Sequence, residues 1–129
     1  ISEDLQSALG YLSEQSVSGD TLLLNQDRYA VDISWRTTSG STGIGHPIAL
    51  TSDTGYFWFF NSANVEAVVK VLDGCGVNQK HWVFAAGLTD VEVTMTVSDR
   101  YVGTTKVYRN PLGTQFRPIQ DTSAFSSCN

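Results

Sequence analysis

From Thr21 onward the chain alternates between apolar and polar positions. In RYAVDISWR, Tyr29, Val31, Ile33 and Trp35 fall on one parity, and Ala30, Asp32, Ser34 and Arg36 on the other. A period of two sends successive side chains to opposite faces of an extended chain, so this segment reads as a half-buried strand. VEVTMTVSD is the cleanest case, with Val91, Val93, Met95 and Val97 facing in and Glu92, Thr94, Thr96 and Ser98 facing water. HPIAL, the aromatic stretch YFWFF, VEAVVKVLD, HWVFAAG and TTKVYR read as further strands. In FRPIQDTSAF, Phe116, Ile119 and Phe125 are apolar enough to pack, but Pro118 cannot donate to a ladder and confines this tail to an edge.

The connections carry turn chemistry. TTSGSTGIG, with Gly40, Gly43 and Gly45, suits a hairpin-like reversal into HPIAL, while SDTG, GLTD and NPLG read as turns. Residues 61–64 read as a loop or single helical turn, and DGCGVNQ as a tight connection. Seven or eight short strands with turn signals about every ten residues predict an all-β fold, an antiparallel immunoglobulin-like sandwich. The order Cys75, Trp82, Cys128 echoes antibody domains only loosely, since Cys128 follows the last strand, so antibody topology is not expected.

Ahead of the strands the period changes. ISEDLQSALGYLSEQ places Leu5, Ala8, Leu9 and Leu12 at helical spacing, with Ser2 suited to cap the N-terminus, and SVSGD reads as a linker. The expected organisation is a short helical leader over residues 1–20 and a β-sandwich over 21–129. Because the chain starts at Ile1, a processed or excised fragment is expected.

Composition narrows the function classes. The 129 residues suffice for one core, and 41% hydrophobic with 16% charged residues suits a globular domain. A net charge of -5 with scattered basic residues disfavours nucleic acid and anionic membranes as partners. No apolar run approaches the roughly 20 residues of a spanning helix, so membrane insertion is not expected. Cys75 and Cys128 lie outside any CxxC pair, which leaves a bridge tying the tail to the core, with two free thiols as the alternative. A bridge would put the protein in an oxidising compartment, secreted or at the cell surface.

Candidate chemistry is sparse. His46 and His81 lie in no GxSxG, HExxH or triad-like pattern, so no catalytic residue and no cofactor is expected. Asp73 and Asn78, flanking Cys75, are weak candidates for calcium, lacking any DxDxDG spacing. In YFWFF, strand alternation sends Tyr56, Trp58 and Phe60 one way and Phe57 and Phe59 the other, so at least one set belongs to the core and the other is a candidate binding platform. The loop over residues 37–47, with Ser41, Thr42, Ile44 and His46, is a candidate contact or inhibitory loop.

The motifs LTSDTGYFWFFN, VVKVLDGCGVN, WVFAAGLTDVEVTMTV, YRNPLGTQFRPIQDTSAF and the terminal Cys128 together resemble a recurrent β-sandwich module of bacterial secreted and surface proteins, of unassigned function. The resemblance runs from about Leu22 to Cys128. It implies an extracellular, non-catalytic β-rich module with the cysteine pair bridged, and supplies no active site. The expected function is therefore a non-enzymatic accessory or interaction module of a secreted bacterial protein with a protein or glycan partner. The alternatives are a carbohydrate-binding module with exposed aromatic rings and a secreted inhibitor of a hydrolase acting through the 37–47 loop.

Overall fold

The computed structural model describes residues 16–128. Eleven strands occur among them: β1 Val17–Ser18, β2 Thr21–Leu24, β3 Tyr29–Arg36, β4 Thr42–Ile44, β5 His46–Ala49, β6 Thr54–Trp58, β7 Ala67–Gly74, β8 Lys80–Gly87, β9 Glu92–Asp99, β10 Thr104–Asn110 and β11 Ile119–Phe125. All pairings are antiparallel. One sheet has the order β1-β2-β3-β9-β10, with β4 also on β3, and the other the order β11-β8-β7-β6-β5. The fold is an all-β, sandwich-like pair of sheets.

The alternation read along β3 and β9 sets their register. Val31 pairs with Val97 and Ile33 with Met95, so the apolar parities of both strands share the inner face. Across the core they join Phe57 and Phe59, with Val69 and Val71 of β7 and Val83 of β8. Full burial of one such side chain contributes roughly 1.5–3 kcal/mol. Phe125, on the edge strand β11, plugs the same cluster and is 3% exposed. As Pro118 predicts, β11 is an edge strand among the described residues, pairing there with β8 alone.

Several expectations change. The strand count rises because β1, β2 and β4 are too short to show a period. SVSGD is no linker: Val17 pairs with Leu22 and Ser18 with Thr21 around a turn at Gly19 and Asp20, so the sheet begins before Thr21. DGCGVNQ contains one helical turn, α1 Cys75–Asn78, ended by Gln79 in the left-handed region at φ 61°. The expected N-terminal helix lies outside the described residues.

The side between β10 and β11 is closed by side chains. The Tyr108 hydroxyl donates to Asp121 at 2.7 Å, and Lys106 Nζ lies 3.6 Å from the same carboxylate. A lysine at this position on the outermost strand discourages edge-to-edge pairing with another sheet.

Candidate interaction surface and the polar cleft

Strand register builds an apolar stripe across the outer face of the five-stranded sheet. Ile48 pairs with Tyr56, Tyr56 with Val68, and Val68 with Ala86, giving one row of four apolar side chains over β5, β6, β7 and β8. On one side of this row His46 pairs with Trp58; on the other Thr54 pairs with Lys70 and Lys70 with Phe84, so an exposed lysine separates the row from Leu72 and Trp82, which pair beyond it. The His46 ring lies 4.2 Å from the Trp58 ring, and its Nδ1 is 3.2 Å from Asp20. A shallow groove of about 390 Å³ continues the stripe between Val68, Phe84, Ala86, Pro118 and Gln120. The outer face of the other sheet is different: Asp32, Ser34 and Arg36 of β3 pair there with Thr96, Thr94 and Glu92 of β9.

Within the aromatic stretch Phe57 and Phe59 separate from Tyr56 and Trp58 as the alternation predicts, while Phe60 packs against Trp35 of the other sheet instead of joining Tyr56 and Trp58. Phe57 and Phe59 are buried, Tyr56 and Trp58 half-buried, and Phe60 is 53% exposed. Phe60 follows the end of β6 and turns toward Trp35, with ring centroids 4.7 Å apart in an edge-on arrangement. Trp35 lies over Gly43 so closely that any Cβ there would enter the indole, and its Nε1 donates to the Ile44 carbonyl at 3.2 Å. The 37–47 segment thus folds back on β3 as β4, with Ser34 opposite Ile44 and Arg36 opposite Thr42. Ser41 and Thr42 are exposed, and Ile44 is 48% exposed. The platform and the loop, read separately in the sequence, meet where His46 packs on Trp58.

Trp82 uses the same device over Gly74, where a Cβ would enter its indole. Its Nε1 donates to Asn78 Oδ1 at 2.8 Å, and Asn78 Nδ2 donates to the Thr122 carbonyl at 2.8 Å. The Asn78 amide is thus committed to holding α1 against β8 and β11. Asp73 Oδ1 accepts from the Cys75 backbone N–H at 2.9 Å. These bonds give both weak calcium candidates local structural work.

A second, polar concavity of about 340 Å³ lies between the β2–β3 turn and the start of β8, and includes Asn25, Arg28, Ser52, Asp73, His81 and Tyr101. Asn25, Gln26 and Asp27 all have positive φ, between 55° and 65°, in the tight turn that aims Arg28 inward. The Arg28 Nε and Nη2 donate to Asp99 Oδ1 and Oδ2 at 3.1 and 3.0 Å, and Nη2 also to the Ser127 carbonyl at 2.6 Å. The Ser127 hydroxyl and the Tyr101 N–H complete the shell of Asp99, at 2.7 and 3.1 Å. Burial alone would raise the Asp99 pKa, but the hydrogen bonds from Arg28, Ser127 and Tyr101 outweigh it and hold the carboxyl below its usual range. His81 is pushed the other way: burial, followed by the nearby Arg28 charge, lowers its pKa and keeps the ring neutral.

Cys75 and Cys128 are bridged, with Cα atoms 5.8 Å apart and a sequence separation of 53. The bridge ties α1 to the tail after β11, beside His81, whose Nδ1 is 3.7 Å from Cys75 Sγ. In the chain-entropy account a loop of this size stabilises by roughly 4 kcal/mol. The bond is consistent with an extracellular location. No described helix is long and apolar enough to cross a membrane.

The polar concavity was not anticipated from the sequence. Its members lie from Asn25 to Tyr101, and the nearest local signal was the Asn-Gln-Asp turn. No family model matches the chain, and no curated protein or solved structure shows significant similarity to it.

Proposed function

We propose that this chain is a non-catalytic interaction module of a secreted bacterial protein, engaging a protein partner through the outer face of its five-stranded sheet. The observation that carries the reading is the in-register row Ile48, Tyr56, Val68 and Ala86, set against a polar outer face on the opposite sheet. A sandwich needs apolar residues only between its sheets; an apolar row outside them is the mark of a surface that another molecule covers. A protein suits this face better than a glycan. Sugar platforms use coplanar open rings, whereas Trp82 and Phe84 stand at 88° to one another and Trp58 is overlaid by His46. The 37–47 segment is held down by β4 and Trp35, which favours a role at the rim of this face over that of a protruding inhibitory loop. The reading also counts the domain among immunoglobulin-like sandwiches in the general sense of two antiparallel sheets, with its bridge from α1 to the tail.

The test compares the wild-type domain with an Ile48→Lys, Val68→Lys variant. Both residues are 38% exposed, so the fold is expected to survive, as circular dichroism and urea unfolding would check. Immobilised wild-type domain is expected to retain a protein from the extracellular fraction of its source that the variant does not retain. Equal retention by both, or a saturable shift of tryptophan fluorescence on adding soluble oligosaccharides, would overturn the proposal.

A further inference from the structure

We propose that reduction of the Cys75–Cys128 bridge converts its surroundings into a site for a zinc-class divalent cation, bound by the two thiolates and His81 with Asp73 as fourth ligand. The ligand atoms of Cys75, His81 and Cys128 already lie within 4.8 Å of one another. Cys75 Sγ is 3.7 Å from His81 Nδ1 and 4.0 Å from Nε2, and Asp73 Oδ1 is 3.8 Å from His81 Nε2. Tetrahedral zinc, with bonds of about 2.3 Å to sulfur and about 2.0 Å to nitrogen, requires sulfur-to-nitrogen edges of roughly 3.5 Å and a sulfur-to-sulfur edge of roughly 3.8 Å. Nε2, the ring nitrogen that Asp73 also faces, is the ligand atom, and its 4.0 Å edge to Cys75 Sγ must shorten by about 0.5 Å. The two sulfurs must also move apart, and Cys128 belongs to the short tail beyond β11, where side-chain rotation and a small tail shift can supply the movement.

The surroundings suit an ion as well as a bridge. Thiolate and imidazole select zinc and its relatives over calcium or magnesium. His81 is 5% exposed, so its ring is held by packing, in part against Tyr29 at 5.2 Å between centroids. Asp73 and His81 are shared with the polar concavity beside the bridge, which gives an entry path from solvent. The chemistry balances with a dithiol or phosphine reductant. Two electrons pass to the disulfide and the reductant is oxidised; each sulfur becomes a thiol, and the cation displaces one proton from each as it binds. Linkage then runs both ways: the ion favours the reduced pair, and oxidation of the pair expels the ion. Either state keeps the tail fastened to α1, by a covalent bond in one and by shared coordination in the other.

The probe is cobalt(II), titrated anaerobically into protein reduced with a phosphine and into the oxidised protein. The reduced wild type is expected to bind one ion per chain with intense tetrahedral d–d bands and sulfur-to-cobalt charge transfer, both removed by zinc, while the oxidised protein shows neither. His81→Gln is expected to weaken binding at least tenfold and Asp73→Asn severalfold. If the reduced chain loses its native circular dichroism, zinc is expected to restore it. A weak octahedral spectrum alone, one ion shared between two chains, equal binding by the oxidised protein, unchanged affinity in His81→Gln, or failure of zinc to restore a lost fold would each overturn the proposal.

Discussion

Replacing Asp99 by asparagine tests whether the Arg28 cluster is a stabilising element or a decoration of the concavity. The Asp99 side chain is wholly buried, and that of Arg28 is 14% exposed. The carboxylate accepts four hydrogen bonds, two from Arg28 and one each from Ser127 and Tyr101. An asparagine keeps the shape but loses the charge and turns an amide toward the guanidinium. Breaking a buried ion pair from one side costs about 3–5 kcal/mol, because the remaining charge is left uncompensated. The concavity lets water reach Arg28, so the low end applies: about 3 kcal/mol, or roughly 150-fold in the folding equilibrium. Urea unfolding reads this as a lower midpoint at unchanged slope. Arg28→Met should cost a similar amount, and the double variant should fall short of the sum by about 2 kcal/mol, as expected for residues in one network. The sign with pH is fixed by the lowered Asp99 pKa. Its contribution is fully present above the unfolded carboxyl value of about 4 and is lost as pH falls through the lower folded value. Asp99→Asn should therefore flatten the acid limb of the stability profile. A loss below 1 kcal/mol, or strict additivity with Arg28→Met, would refute the reasoning.

Two further substitutions probe polar groups that the core holds at a cost. Glu66 is 5% exposed, and burial raises its pKa, offset in part by the hydrogen bond from Asn64. The native state thus binds this proton more tightly than the unfolded chain, so stability falls as pH rises from about 4 through the raised folded value. Glu66→Gln should stabilise the domain at neutral pH, with the gain vanishing below about pH 4; a destabilised variant at pH 7 would contradict this. The Tyr29 hydroxyl is buried with no hydrogen-bond partner among the described residues, and burial, followed by the nearby Asp99 charge, pushes its pKa up. Tyr29→Phe should raise the urea midpoint, with a gain on the order of 1 kcal/mol, and a loss of that size would show a bond that the geometry does not reveal.

Some of the fold was legible because it is local. Long strands with strict alternation, such as β3 and β9, carry their own face assignment, and the adjacent aromatic residues 56–59 divide by parity whatever surrounds them. β1 and β4 were not legible because two or three residues hold no period; Val17 and Ser18 become a strand only through Leu22 and Thr21. The apolar outer face was half legible for a related reason. Tyr56 and Trp58 stand out by composition, but Val68 shares its parity with Glu66 and Lys70 and Ala86 sits in a run apolar on both parities, and only the pairing of β6 with β7 and β7 with β8 puts them beside Tyr56. The concavity at Arg28 was opaque, since it draws Ser52, Asp73, His81 and Tyr101 from four separate regions and uses residue types common in turns.

The aromatic strand explains how one sheet tolerates an apolar outer face at all. Its inner rings, Phe57 and Phe59, are enclosed by the opposite sheet, so their contribution to stability does not depend on a partner. Its outer rings are flanked by their cross-strand neighbours: His46 lies over Trp58, and Ile48 and Val68 flank Tyr56. This mutual cover leaves both rings half-buried in the isolated domain, and removes part of the penalty that open rings would carry. What stays open is the spine of the row, Ile48 and Val68, with the groove toward Pro118. Under the proposed reading, a face so divided would suit reversible association: the half-covered rings would need little reordering on contact, and the gain would come from the aliphatic spine, which has few rotamers to lose.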